Sequence, residues 1–258
     1  MSFRSVKPES LTKFNSSTSC EFLDCIESHI DNVILSDANR PVHKTFAPSS
    51  FRCSRMMWFR LRGTQPDQPL KADRVLKFKA DLGTAYHSVL QKYISEALED
   101  NWIDVEDYLN IHPIPYRYNI TKSGYETIIE VTDPYPIRFA CDGIIYWNGE
   151  YYLLEIKTCE SDTFRDLTDP RYKHVDQVKC YSTILDLSGV LFIYVDRTYG
   201  DMKCYEMRVK QYEKEDVLQK FKDIMWSVEY NIAPDPLPNG DDWCSSSMCP
   251  YFKKCKQW

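Results

Sequence analysis

The sequence predicts an α/β domain, a mixed central β-sheet flanked by helices, and three observations carry that prediction. Hydrophobic spacing switches between helical and strand periods in the order αα-ββββ-α-ββ-α, which suits a sheet with helices on its faces. The stretch FACDGIIYWNGEYYLLEIKT turns at Asn148-Gly149 between two apolar arms, the signal of a two-residue β-hairpin. The run GVLFIYV is apolar throughout, as in a strand buried on both faces.

In chain order, residues 1–18 are polar and turn-rich, and CEFLDCIESHIDNVIL has helical apolar spacing over residues 20–35. Pro41 and Pro48 punctuate a linker, after which Ser49 or Ser50 can cap a helix over 51–62. A second helix is predicted over 82–99. Its acidic continuation, Glu96 to Asp107, reads as a solvent-facing helix end and loop. Strands follow at 115–120, 126–131, 136–147 and 150–158, then a helix at 171–186, strands at 189–195 and 202–208, and an amphipathic helix at 211–230.

At 258 residues the chain is long enough to bury a full core. No segment approaches the roughly 20 apolar residues that span a bilayer, and the N-terminus lacks the apolar core of a signal peptide, so a cytoplasmic protein is expected, in the host cell if viral. Ten cysteines without a secretion signal argue for metal binding or buried thiols over disulfides. The net charge of -6 does not suit phosphate contact, but residues 51–79 carry a local balance of +6 with interleaved aromatics. Arg52, Arg55, Arg60 and Arg62 are therefore the candidate nucleic-acid contacts, with Trp58 and Phe59 individually better read as core.

The hairpin brings chemistry together. An Asn-Gly turn sets a register in which facing residue numbers sum to 297, so Asp142 faces Glu155 and Lys157 lies on the same side. Two carboxylates in an apolar setting are costly unless a cation joins them. A divalent metal beside a lysine is one answer. A buried Glu–Lys ion pair, with Asp142 capping a turn, is the other.

The pattern Asp142…Glu155-x-Lys157 resembles the PD-(D/E)XK nuclease superfamily. His87 in Gly83-Thr-Ala-Tyr-His87 and the segment Gln177-Val-Lys-Cys-Tyr181 are similar to motifs of its RecB/Cas4 branch, and one remote cysteine, Cys53, with Cys244, Cys249 and Cys255 resembles the iron–sulfur ligands of Cas4 and AddB-type nucleases. The likeness covers residues 45–258. Its one departure is the terminal C-x4-C-x5-C, whose first gap is longer than is usual there.

The resemblance implies a restriction-endonuclease-like core over residues 46–258, preceded by a partly helical extension, residues 1–45. It implies Mg²⁺ or Mn²⁺ held by Asp142, Glu155, His87 and the Ile156 carbonyl, with Lys157, Gln177 and Tyr181 beside the reacting phosphate. It also implies a [4Fe–4S] cluster on the four cysteines, with structural Zn²⁺ as the alternative. The activity expected is metal-dependent exonucleolytic cleavage of single-stranded DNA or DNA ends. The alternative is a DNA-binding or assembly subunit of a recombination or CRISPR-adaptation complex with little catalysis of its own.

Overall fold

The computed structural model describes residues 16–67, 73–238, 241, 243–245 and 249–257. Contacts divide the chain into two compact units, Pro41–Asp67 with Lys79–Trp258, and Met1–Arg40 with Gln68–Phe78. Every candidate site residue falls in the larger unit. In the smaller one, α1 (Ser16–Ala38) is tied to the start of α3 (Arg74–Leu98) by Arg74, which pairs with Glu27 and Asp31. Residues 1–15 of the expected extension, and Lys71 of the basic segment, lie outside the described residues.

Among the described residues eight strands form two sheets: β1 (Trp102–Ile103), β2 (Arg117–Ser123), β3 (Glu126–Asp133), β4 (Ile137–Cys141), β5 (Gly143–Trp147), β6 (Glu150–Cys159), β7 (Gly189–Asp196) and β8 (Met202–Arg208). The larger sheet runs β1-β5-β6-β7-β8, with β6 and β7 parallel and the other pairs antiparallel; the smaller runs β2-β3-β4. Between β6 and β7 lie α5 (Ser161–Asp166) and α6 (Tyr172–Leu185), the crossover that a parallel pair needs. Helices α2 (Ser54–Leu61), α4 (Val105–Ile111), α7 (Gln211–Glu229) and α8 (Phe252–Cys255) complete the fold, a mixed sheet flanked by helices as the pattern predicts.

The hairpin register holds: Gly143 faces Leu154 and Trp147 faces Glu150, each pair summing to 297. Asn148 and Gly149 both take positive φ, 50° and 86°, which is what a type I′ turn requires. Burial then locks it. Ile145, Leu154 and Ile156 pack with Leu90, Ile94 and Leu98 of α3, while Ile144 and Leu153 belong to the main core with Val178 and Ile184 of α6. A slip of one residue would exchange these two faces.

The structure corrects several boundaries. The strand expected over 136–147 is two strands in different sheets, parted at Asp142, because the Asp142 carboxylate takes the Ile156 N–H at 2.7 Å that would otherwise bond to backbone. Gly143 is needed beside it, since a Cβ there would lie 2.6 Å from the Trp102 ring. Helix α2 starts after Cys53, whose Sγ accepts from Met56 N, and not after the serines, which form a 3₁₀ turn with Pro48. Helix α3 begins eight residues earlier than expected because Asp73 Oδ1 accepts from Leu76 N. The acidic run holds α4, which spacing missed; Asp104 caps it, and Glu106 and Asp107 sit in its first turn, favourably placed against the helix dipole. Among the described residues no helix is long and apolar enough to cross a membrane.

Candidate active site

Asp142 is held from three sides. It stands at the break between β4 and β5, 5% exposed, with Oδ2 accepting from Ile156 N and Oδ1 3.0 Å from His87 Nδ1. Its carbonyl accepts from Gln91 Nε2 at 2.8 Å. His87 and Gln91 are four apart on α3 and share a face, so one helix fixes both side chain and main chain of the aspartate. Gln91 is buried and was missed in the sequence; its only signal is the i+4 spacing from His87.

One strand away, Glu155 is 2% exposed and ion-paired with Lys157 Nζ. Lys157 also donates to Gln177 Oε1 at 3.4 Å, and Gln177 Nε2 donates to the Tyr181 hydroxyl at 2.6 Å. Tyr181 stacks on Phe139 with ring centroids 4.5 Å apart. The Ile156 carbonyl leaves β6 on the same edge as its N–H, toward Asp142. Asp142, His87, Glu155, Lys157, Gln177 and Tyr181 therefore form one connected set.

His174 on α6 went unread in the sequence. His174, Gln177 and Tyr181 recur at helical spacing on one face. The Tyr194 hydroxyl accepts from Arg171 N at 3.1 Å and is hydrogen-bonded to His174 Nδ1 at 2.7 Å. Burial, with the charges of Lys157, Lys173 and Arg171 nearby, pushes His174 down to about 3, so its ring is neutral.

Glu126, at the start of β3, is the other residue missed. Among the described residues it completes the group of His, Cys, Asp and Glu side chains able to hold a cation: one ligand atom each of His87, Glu126 and Asp142, all within 4.8 Å of one another. Glu155 is not in that group; its carboxylate is turned to Lys157.

Burial pushes Glu155 up to about 7, with Asp142 adding to the rise and Lys157 opposing it. Burial would pull His87 down, but its bond to Asp142 wins and holds it above the ordinary value; Lys157 is likewise held up by Glu155 and Asp142 against its own burial. The sign for stability follows. Glu155 has an ordinary value of 4.5 and a folded value of about 7, so its contribution is complete below 4.5 and is lost as pH rises through 7. His87, raised from 6.5, acts in the same direction. The cation-free protein should melt at a higher temperature at pH 6 than at pH 8. Thermal melts in EDTA check this, and a higher melting temperature at pH 8 would contradict it.

The four candidate cysteines line one cavity of about 60 Å³, walled also by Phe59 and Tyr251. Cys53 comes from the start of α2, and Cys244, Cys249 and Cys255 from the C-terminal segment. Burial raises the Cys53 thiol and carries Cys249 to about 11, the neighbouring thiols adding to both. Among the described residues no three of the sulfurs lie within 4.8 Å of each other. Cys141 and Cys180 are buried elsewhere in the core.

The arginines of the basic segment are bonded within their own unit. Arg52 pairs with Asp241, Arg55 donates to the Pro234 carbonyl at 2.6 Å, Arg60 to the Thr45 carbonyl at 3.0 Å, and Arg62 to Asn231 while lying over Trp58. These bonds hold the segment around α2 to the rest of its unit; Arg55 is buried, Arg52 and Arg60 are half-buried, and Arg62 is exposed. Trp58 and Phe59 are core.

No protein-family model matches the sequence, and no curated protein matches it. Among solved structures, SSO0001 is similar at a TM-score of 0.52 and 17% identity over 92% of this chain and 98% of that one, which shows a shared fold. The alkaline exonuclease LHK-Exo from Laribacter hongkongensis matches at 0.45 and 11% identity, covering 80% of this chain and 94% of that one. Its complex with dAMP matches at 0.46 and 14%, over 73% and 90%. Overlaps as loose as these last two carry no argument about chemistry.

Proposed function

We propose that this chain is a divalent-cation-dependent deoxyribonuclease that degrades single-stranded DNA or DNA ends exonucleolytically, with a [4Fe–4S] cluster as a structural staple. The observation that carries the reading is the wiring of Asp142, bonded to His87 on one side and to Ile156 N on the other, one strand from a buried Glu155–Lys157 pair. A bare ion pair with a turn cap would need neither His87 nor Gln91.

Carboxylates suit Mg²⁺ or Mn²⁺, the His87 nitrogen tilts the preference to Mn²⁺, and the charge supplied there polarises a phosphate and acidifies an attacking water. The chain's own groups do the rest. Asp142, Glu155, His87 and the Ile156 carbonyl are the set that would hold the cation. Lys157, fixed by Gln177, orients the water and neutralises charge growing on the phosphorane oxygens. Tyr181 in turn fixes Gln177. Arg171 and Lys173, whose charges reach the Lys157 region, supply positive charge for neighbouring phosphates in place of the α2 arginines.

Four thiolates around one cavity would accept either a [4Fe–4S] cluster or tetrahedral zinc, and the split arrangement of one remote and three clustered cysteines, which resembles that of iron–sulfur nucleases, favours the cluster.

The test is degradation of 5′- and 3′-labelled single strands with Mn²⁺ or Mg²⁺, using wild type and Asp142→Ala. Cation-dependent loss of label by the wild type alone supports the reading, and the label released first gives the polarity. Equal cleavage by Asp142→Ala, in a preparation free of contaminating nuclease, would sink it. In the same assay, reversing charge at Arg171 and Lys173 should flatten the salt dependence of strand binding.

A further inference from the structure

We infer that Glu126 is a further direct ligand of the divalent cation, joining His87 and Asp142 on the open side of the aspartate and adding to the set that Glu155 and the Ile156 carbonyl would supply. This rests on the reading that Asp142 and His87 hold such a cation.

The position comes from the sheet register. β3 pairs with β4 so that Thr127 faces Cys141 and Ile128 faces Ala140. One step further, Glu126 faces Asp142. Directly opposed residues bring their Cβ atoms to about 5 Å, which is why the two carboxylates and the His87 ring can offer atoms within 4.8 Å of one another. Asp142 is thus the point where both ladders end: the hairpin register puts Glu155 across from it on one side, and the β3–β4 register puts Glu126 across on the other.

The chemistry asks for a cation there. Glu126 is half-buried beside a second carboxylate, and among the described residues its side chain makes no hydrogen bond or ion pair, with the His87 and Arg138 charges acting on it only at longer range. Such a group is costly unless a positive charge joins it. Glu155 already has Lys157. Glu126 also borders an open cavity of about 340 Å³ that His87, Thr84 and Ser123 line, so an ion and a phosphate oxygen can both reach it.

The experiment uses the full chain and Mn²⁺ alone, with binding followed by the loss of the free-ion paramagnetic resonance signal. Wild type should bind Mn²⁺, Asp142→Asn should not, and Glu126→Gln should bind at least about tenfold more weakly while melting like wild type in EDTA. A second variant reads ligation directly. Glu126→Cys places a soft thiolate at the ion, so the affinity for Cd²⁺ relative to Mn²⁺ should rise about tenfold, a change that a merely structural role would not produce. If wild type and Glu126→Gln bind Mn²⁺ alike and Glu126→Cys shows no preference for Cd²⁺, the assignment of Glu126 is overturned while the cation site stands. If wild type binds no Mn²⁺, the reading beneath it fails and Glu126 falls with it.

Discussion

Lys157→Ala should lower the cleavage rate roughly a thousandfold, the usual cost of removing a group aimed at charge that develops in the transition state. The lysine is the cation in contact with Glu155, and Gln177 fixes its direction. Its loss has a second effect. Glu155 already sits at about 7 with the lysine present, and without it the buried carboxyl keeps its proton to higher pH. Mn²⁺ must displace that proton, so the variant's cation affinity should be reduced at pH 7 and recover near pH 9, whereas the catalytic rate should stay low at both. Single-turnover cleavage at saturating Mn²⁺ across this pH range separates the two effects. A variant that regains wild-type cleavage at high pH would show that Lys157 serves only to keep Glu155 ionised, and its role at the phosphate would have to be abandoned.

What the sequence made legible was decided by how tightly short connections fix geometry. Asn148-Gly149 is a two-residue turn with one favoured conformation, so it gave the register that places Asp142 beside the Glu155 strand. Between the last ladder pair of β3 and β4, Val131 with Ile137, lie five residues, 132–136, which fix no register by themselves; Glu126 was therefore invisible although both strands were expected. Distance along the chain hid the arginines. Their partners Asp241, Pro234 and Asn231 lie about 170–190 residues away, and nothing local distinguishes a guanidinium that will cross a domain interior from one that faces solvent. The cysteines were equally remote from one another, and they were found only because their split arrangement resembles a known one. Helix α4 and the early start of α3 were lost for a simpler reason, since Asp104 and Asp73 were counted as charge and not as caps.

Cys249→Ala should abolish the brown colour of anaerobically purified protein, remove its iron, about four atoms per chain in the wild type, and lower the melting temperature by on the order of 10 °C. The loss should be large because the ligation would close a long loop from Cys53 to the C-terminal segment. It should not unfold the domain, because other contacts also fasten that segment. Lys254 pairs with Asp67, Arg52 with Asp241, the Tyr251 ring stacks on Phe59 at 5.3 Å, and α2 remains fixed to α7 through Trp58 Nε1 and the Ser227 carbonyl. The proposed catalytic groups lie on α3, α6 and the β4–β6 region, none of which would supply a cysteine ligand. The soluble fraction of the variant should therefore cleave DNA within about tenfold of the wild-type rate at saturating strand, with weaker binding where Lys173 lies over the Trp243 ring near Cys244. Colourless wild-type protein with one zinc per chain would replace the cluster by a metal ion and leave the nuclease reading intact. Unchanged metal content and melting temperature in Cys249→Ala would remove Cys249 from any metal site, and with it the staple between α2 and the C-terminal segment.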